Sequence, residues 1–178
     1  MSTRRSDTKE NDLAAHPHIV VMGVSGSGKT TVGELLAERL GLPYRDGDDL
    51  HPQENIDKMA RGEALDDDDR WPWLRLVGQW LHDSAEGGII GCSSLKHSYR
   101  DLIRQATPDA KFVHVHGTPE PLRERMENRT GHFMPASLLD SQLATLEPLG
   151  DDEPGVVVDV ADAPETVADN AAAWLRDH

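Results

Sequence analysis

Short apolar runs alternate with amphipathic stretches along most of the chain, and each pattern predicts its own kind of element. Residues 18–22 (HIVVM), 88–92 (GIIGC), 112–116 (FVHVH) and 156–160 (VVVDV) are brief and largely β-branched, as strands buried on both faces are. Residues 42–45 (LPYR) add one more short strand. Between them, residues 30–40 place Val32, Leu35, Leu36, Arg39 and Leu40 on one stripe, with Gly41 where a C-cap belongs. Helical spacing also predicts helices over 52–60, 70–84 (through Trp73, Leu74, Val77, Trp80 and Leu81), 97–106, 120–128, 138–146 and 164–176. Strand and helix alternate from end to end, which predicts an α/β, doubly wound domain with a mostly parallel sheet. Residues 1–16 are polar and without periodicity and read as a disordered leader, leaving 17–178 as a single domain.

The turn after the first strand carries the chemistry. Residues 23–30 read GVSGSGKT: Gly23, Val24, Ser25, Gly26, Ser27, Gly28, Lys29 and Thr30, with Thr31 following. This is the phosphate-loop pattern, and it lies where its mechanism requires, between an apolar strand and an amphipathic helix. Gly26 and Gly28 let the backbone wrap phosphate oxygens while the helix points its positive end at the same anion. Lys29 can reach the β- and γ-phosphates of ATP, and the Thr30 hydroxyl is placed to ligate Mg²⁺.

The strand at 88–91 continues into Cys92, Ser93 and Ser94, without the aspartate that commonly holds Mg²⁺ in such proteins. Asp46 and Asp48, just past the second strand, would project from the carboxyl edge of the sheet beside the phosphate loop. One carboxylate can hold the metal while the other accepts a proton from an attacking hydroxyl; the alternative is an acidic turn that merely caps the next helix. No Asn/Thr-Lys-x-Asp stretch is present for guanine recognition, so a small-molecule kinase fits better than a switch GTPase.

Charge narrows the partners. The 178 residues include 18 Lys+Arg against 32 Asp+Glu, a formal net charge of -14. An exterior this acidic argues against nucleic acid or an anionic membrane as partner. No run approaches the roughly 20 apolar residues of a membrane span, so a cytoplasmic protein is expected. Cys92 is the one cysteine, which removes any intramolecular disulfide or cysteine-built zinc site.

Five segments in order carry a family resemblance: GVSGSGKTTVG; DGDDLHP followed by Asn55, Lys58 and Met59; DDDDRWPWL; GCSSLKHSYRDLIR; and RTGHFMPASLLDSQLATLEPL. Over residues 18–159 the chain resembles the thermoresistant-type gluconate kinases, or gluconokinases. The resemblance implies the P-loop NTPase three-layer fold, a five-stranded mostly parallel sheet flanked by helices, with a mobile lid like that of shikimate and nucleoside monophosphate kinases. It implies transfer of the γ-phosphoryl group of ATP to the 6-hydroxyl of D-gluconate, with Mg²⁺. Asp46 then corresponds to the carboxylate near the metal and Asp48 to the catalytic base. Arg70 matches the position that reaches the sugar acid's carboxylate, and Lys96, Tyr99 and Arg100 belong to a segment facing the acceptor. The lid falls at about 123–135; there Arg125 and Arg129, four residues apart, would swing onto the triphosphate. His132 is a candidate substrate contact in the closed lid, with Gln142 of similar standing, and residues 159–164 match the adenine seat. Asp49 departs from the family, whose members often have an apolar or aromatic residue there. Relatives are often homodimers. The rivals are a same-fold kinase for another hydroxy acid such as shikimate, and a non-catalytic ATP-binding regulator.

Overall fold

The computed structural model describes residues 16–24, 26–117 and 136–178. Ser25, the expected helix over 120–128 and the expected lid with Arg125, Arg129 and His132 lie outside the described residues, as does the leader up to residue 15.

The chain runs β1 (His18–Met22), α1 (Lys29–Leu40), β2 (Tyr44–Asp46), a 3₁₀ turn (Gly47–Leu50), α2 (Gln53–Ala60), α3 (Asp67–Asp83), β3 (Gly88–Gly91), α4 (His97–Ala106), β4 (Lys111–His116), α5 (Ala136–Thr145), β5 (Gly155–Asp159) and α6 (Pro164–Asp177). The five strands form one sheet in the order β2-β3-β1-β4-β5, and every neighbouring pair is parallel. β1 is central: Val20 lies opposite Ile90 of β3 on one side and Phe112 of β4 on the other. Consecutive residues Ile19, Val20, Val21 and Met22 are all inaccessible to solvent, which requires cover on both sheet faces. That cover comes from helices: α1 packs with α6, and α3 packs with α4. No helix among the described residues is long and apolar enough to cross a membrane.

Helix boundaries follow local chemistry. α1 ends at Gly41, whose φ of 68° closes the helix with its N–H on Ala37 O, as its position in the sequence predicts. α3 starts three residues before the apolar periodicity does, because the acidic run supplies its own capping box. Asp69 N–H donates to Asp66 Oδ1 (2.8 Å), and Asp66 N–H donates to Asp69 Oδ2 (2.9 Å). Carboxylates in the first turn also suit the positive end of the helix.

Arg100 is the main correction to the sequence-based assignment. Instead of facing an acceptor, its side chain is fully buried within the fold. Its Nε and Nη2 donate to the two oxygens of Glu153 (2.7 and 3.0 Å), Nη1 donates to Ser94 O (2.8 Å), and Nη2 also reaches Pro148 O (3.3 Å). The guanidinium thus ties α4 to the loop after β3 and to the connection before β5. Burial works against the Glu153 charge, yet Arg100 and the Gly150 N–H hold its carboxyl below the usual range. Removing one partner would leave the other charged and uncompensated in the interior. Arg100→Met is therefore expected to lower unfolding free energy by about 3–5 kcal/mol, read from urea denaturation, with Glu153→Gln destabilising in the same direction.

Candidate active site

β1 delivers the chain to the carboxyl edge of the sheet, where it must turn at once. Gly23 has no room for a side chain: a Cβ would lie 2.7 Å from Val115 O and 2.8 Å from Ser27 Oγ. Gly28, at φ 96°, is the N-cap of α1, and no side chain caps the helix, so its first turn faces the loop without a built-in hydrogen-bond acceptor. Lys29 Nζ arches back to donate to Gly23 O (3.0 Å) and Val24 O (3.1 Å). This is a cradle for phosphate oxygens, bounded by a helix N-terminus and an ammonium group.

β2 sets the two carboxylates. Asp46 pairs in register with Gly91 and accepts from Asp48 N–H (2.9 Å), capping the 3₁₀ turn. Burial above all, then the charges of Asp48 and Asp49, hold its carboxyl above the ordinary range, against the pull of the Asp48 N–H and Lys29. The side chains of Thr30 and Asp46 carry oxygens of the hard kind that Mg²⁺ prefers; Thr30 lies in the first turn of α1 and Asp46 ends β2, on the same sheet edge. Asp48 projects outward, its side chain 72% exposed. Asp49 turns away to Arg45 (3.6 Å), so the residue that departs from the family pairs on the surface.

The turn bearing Asp48 is fixed from below. Trp73 Nε1 donates to Gly47 O (2.8 Å), and a Cβ on Gly47 would run into Gly91 O. His51 stacks on Trp73, with ring centroids 4.0 Å apart and planes 18° from parallel. Burial, then the Arg70 charge, pushes the His51 imidazole down to about 4, so it is neutral near pH 7.

A single cleft is lined by Lys29, Asp48, His51, Arg70, Trp73, Ser93 and Leu95, with Gln142 and Thr145 contributed by α5. It brings together Lys29, Asp48, Arg70 and Gln142, which the sequence singled out one at a time. Tyr99 and Lys96 stand behind it. Tyr99 O–H donates to Asp67 Oδ1 (2.5 Å) and accepts from Arg70 Nη1 (3.0 Å). Burial, then that bond to Asp67, pushes the Tyr99 hydroxyl up to about 12. Lys96 Nζ lies 3.5 Å from Asp67 Oδ2, and Arg70 lies 3.7 Å from Oδ1. The Tyr99 hydrogen bond, followed by Lys96, holds the Asp67 carboxyl below the usual range. Asp67 is thus an anchor for two cations and a phenol. The sequence does not single out Asp67, His51 or Trp73 as site residues, although all three lie inside the quoted motifs. Cys92 is buried and its thiol is pushed up to about 12, mainly by desolvation, so it is no nucleophile. The expected adenine seat, after Asp159, is an exposed turn in which Ala161 N–H donates to Asp159 Oδ1 (2.8 Å).

Comparisons with known proteins show the family and the fold. A family model described as an AAA domain matches residues 19–134. The chain is 49% identical over 162 residues to a gluconokinase of Gluconobacter oxydans, covering 89% of this chain and 91% of that protein. It is similar to the crystal structure of a gluconokinase from Sinorhizobium meliloti, with 51% identity and a TM-score of 0.84, covering 92% of this chain and 93% of that one. Shikimate kinase from Aquifex aeolicus superposes with a TM-score of 0.57 at 17% identity, over 90% of this chain and 96% of that one, a likeness of fold alone.

Two buried imidazoles make stability pH-dependent. His114 on β4, like His51, is pushed down to about 4 by burial, with His116 adding to the effect. Between about pH 6.5 and about 4 the unfolded chain takes up protons that these folded sites refuse, so stability is retained above that window and falls as pH drops through it. Urea midpoints measured from pH 7 down to pH 5 are expected to decline, and His114→Leu to decline less steeply than the unaltered protein.

Proposed function

The chain belongs to the gluconokinase family, and from that premise we propose how its own residues transfer the γ-phosphoryl group of ATP to the 6-hydroxyl of D-gluconate, giving 6-phospho-D-gluconate and ADP. The observation that carries this is one cleft lined by the phosphate-loop lysine Lys29, the Asp48 carboxylate and the Arg70 guanidinium, which Tyr99 braces. Such a lining suits an acceptor that bears both a hydroxyl and a carboxylate.

The phosphate loop binds the triphosphate through backbone N–H groups, the start of α1 and Lys29. The Thr30 hydroxyl and Asp46 would hold Mg²⁺, which would neutralise charge on the β- and γ-phosphates of ATP. Arg70 receives the gluconate carboxylate, a group that a planar guanidinium can grip with two parallel hydrogen bonds. Tyr99 and Asp67 keep that guanidinium facing the cleft, and Lys96 adds positive charge from behind. Asp48 accepts the proton of the 6-hydroxyl as its oxygen bonds to the γ-phosphorus and the bond to the β-γ bridging oxygen breaks. Arg125 and Arg129 of the lid complete the positive surround of the transferring group, with His132 beside the acceptor, as the family resemblance implies. Little covalent work falls to the protein; positioning and preorganised charge do most of it.

A panel of sugar acids and shikimate, assayed by coupled ADP release, tests the acceptor: ADP release is expected with gluconate, and release that is independent of any acceptor would remove the assignment. Asp48→Asn is expected to keep ATP affinity and to lower kcat by about 10²–10⁴-fold, the range for loss of a positioned base. Arg70→Ala is expected to raise the gluconate KM by about 10- to 100-fold with little change in ATP KM, corresponding to loss of a charge-assisted contact.

A further inference from the structure

His51 lies next to Asp48 in an arrangement whose hydrogens can be assigned. Asn55 Nδ2 is 2.9 Å from Asp69 O, and a carbonyl only accepts, so the nitrogen end of the Asn55 amide faces it. The same nitrogen is 3.2 Å from His51 Nδ1. An amide nitrogen only donates, so Nδ1 is the acceptor and the proton of the neutral ring sits on Nε2. That Nε2 lies 3.8 Å from Asp48 Oδ1. The spacing has a local cause: Asp48 and His51 are three apart across a 3₁₀ turn, where side chains at i and i+3 eclipse, and His51 N–H closes the turn on Asp48 O (3.3 Å). His51 is immobilised by its stack on Trp73, whereas Asp48 is exposed and has room to rotate toward it.

We propose that His51 is a positioning residue for Asp48: its Nε2–H, fixed in that tautomer by Asn55, turns the carboxylate toward the acceptor hydroxyl. This rests on Asp48 being the base. His51 takes no proton itself, because Asn55 occupies its Nδ1 lone pair; the hydroxyl proton passes to Asp48 and the Nε2 proton stays in place. A neutral donor orients the carboxylate without pairing it with a full positive charge, and burial keeps the ring neutral.

The test compares His51→Phe, which can keep the stack but loses the donor, with His51→Gln, whose amide nitrogen reaches the Nε2 position. His51→Phe is expected to lower kcat by about 10- to 100-fold while gluconate KM stays within about threefold, because the lost interaction acts on the chemical step and not on ground-state binding. His51→Gln should recover most of that loss. In an Asp48→Asn background His51→Phe should add less than about a twofold loss, the non-additivity of residues that act as a unit. Should His51→Phe fail to fold, His51→Asn replaces it: its shorter amide mimics Nδ1 and leaves Asp48 without a donor, so Gln should outperform Asn. An unchanged kcat in the Phe variant, equal losses in Gln and Phe or in Gln and Asn, or a raised gluconate KM at unchanged kcat would each overturn the proposal. Undiminished turnover in Asp48→Asn would instead overturn the assignment of the base, whereas an inactive Asp48→Asn beside a normal His51→Phe removes the role of His51 alone.

Discussion

A Cβ at Gly23 would collide with the Val115 carbonyl and the Ser27 hydroxyl, and this steric limit at the end of the central strand sets the geometry of the whole site. β1 is hydrogen-bonded on both sides and inaccessible to solvent along its apolar run, so the point at which it ends cannot drift. The Gly23 N–H donates to Ser93 O (3.2 Å), tying the start of the phosphate loop to the segment after β3. From there the loop has only a few residues in which to reverse into α1, and the Lys29 ammonium closes over it. β2 lies one strand beyond β3, so its terminal carboxylate, Asp46, stands on the same edge. Packing of the central strand thus fixes the relative positions of the phosphate loop, Thr30, Asp46 and Asp48.

Electrostatics then separates the cleft from the acidic exterior. The chain carries a net charge of -14, yet Lys29 and Arg70 both face the cleft and Lys96 stands behind it. Local potential governs the approach of an anion, since screening limits distant charges to about 8 Å at physiological salt. Asp67 does not cancel this positive charge; it holds Arg70 and Lys96 near one point through Tyr99 and through direct ion pairs. Burial keeps His51 neutral, so the cleft gains a hydrogen-bond donor without gaining another charge.

The neighbouring tryptophans of α3 illustrate how one helix serves both stability and site. Trp73 supplies the hydrogen bond that pins Gly47 and the surface on which His51 stacks. Trp71 meets Tyr99 edge-on at 5.6 Å, on the side of the helix that braces Arg70. Their spacing of two places them on different faces of a helix, so Trp73 braces the turn bearing Asp48 while Trp71 packs on the Tyr99 that holds Arg70.

Local rules were enough to read the strands, the described helices around them and the phosphate loop, because burial of short β-branched runs and the backbone freedom of Gly26 and Gly28 are properties of consecutive residues. The placement of Lys29, Asp46 and Asp48 was legible for the same reason: Lys29 opens the helix after the β1 turn, Asp46 ends β2 and Asp48 lies two residues beyond, all at one edge of the parallel sheet. The fate of Arg100 was not legible. Its partner Glu153 is 53 residues away, and only the packing of α4 against the segment before β5 turns an arginine of an acceptor-facing motif into a buried structural ion pair. Asp67 was hidden in a run of four aspartates, in which a local contact makes Asp66 the helix cap but only tertiary contacts distinguish Asp69, the Lys58 partner, from Asp67, the anchor of Tyr99. The tautomer of His51 likewise depends on Asn55 and on a carbonyl of the next helix. Sequence determined which groups reach the sheet edge; long-range packing decided which of them face the cleft and which hold the others in place.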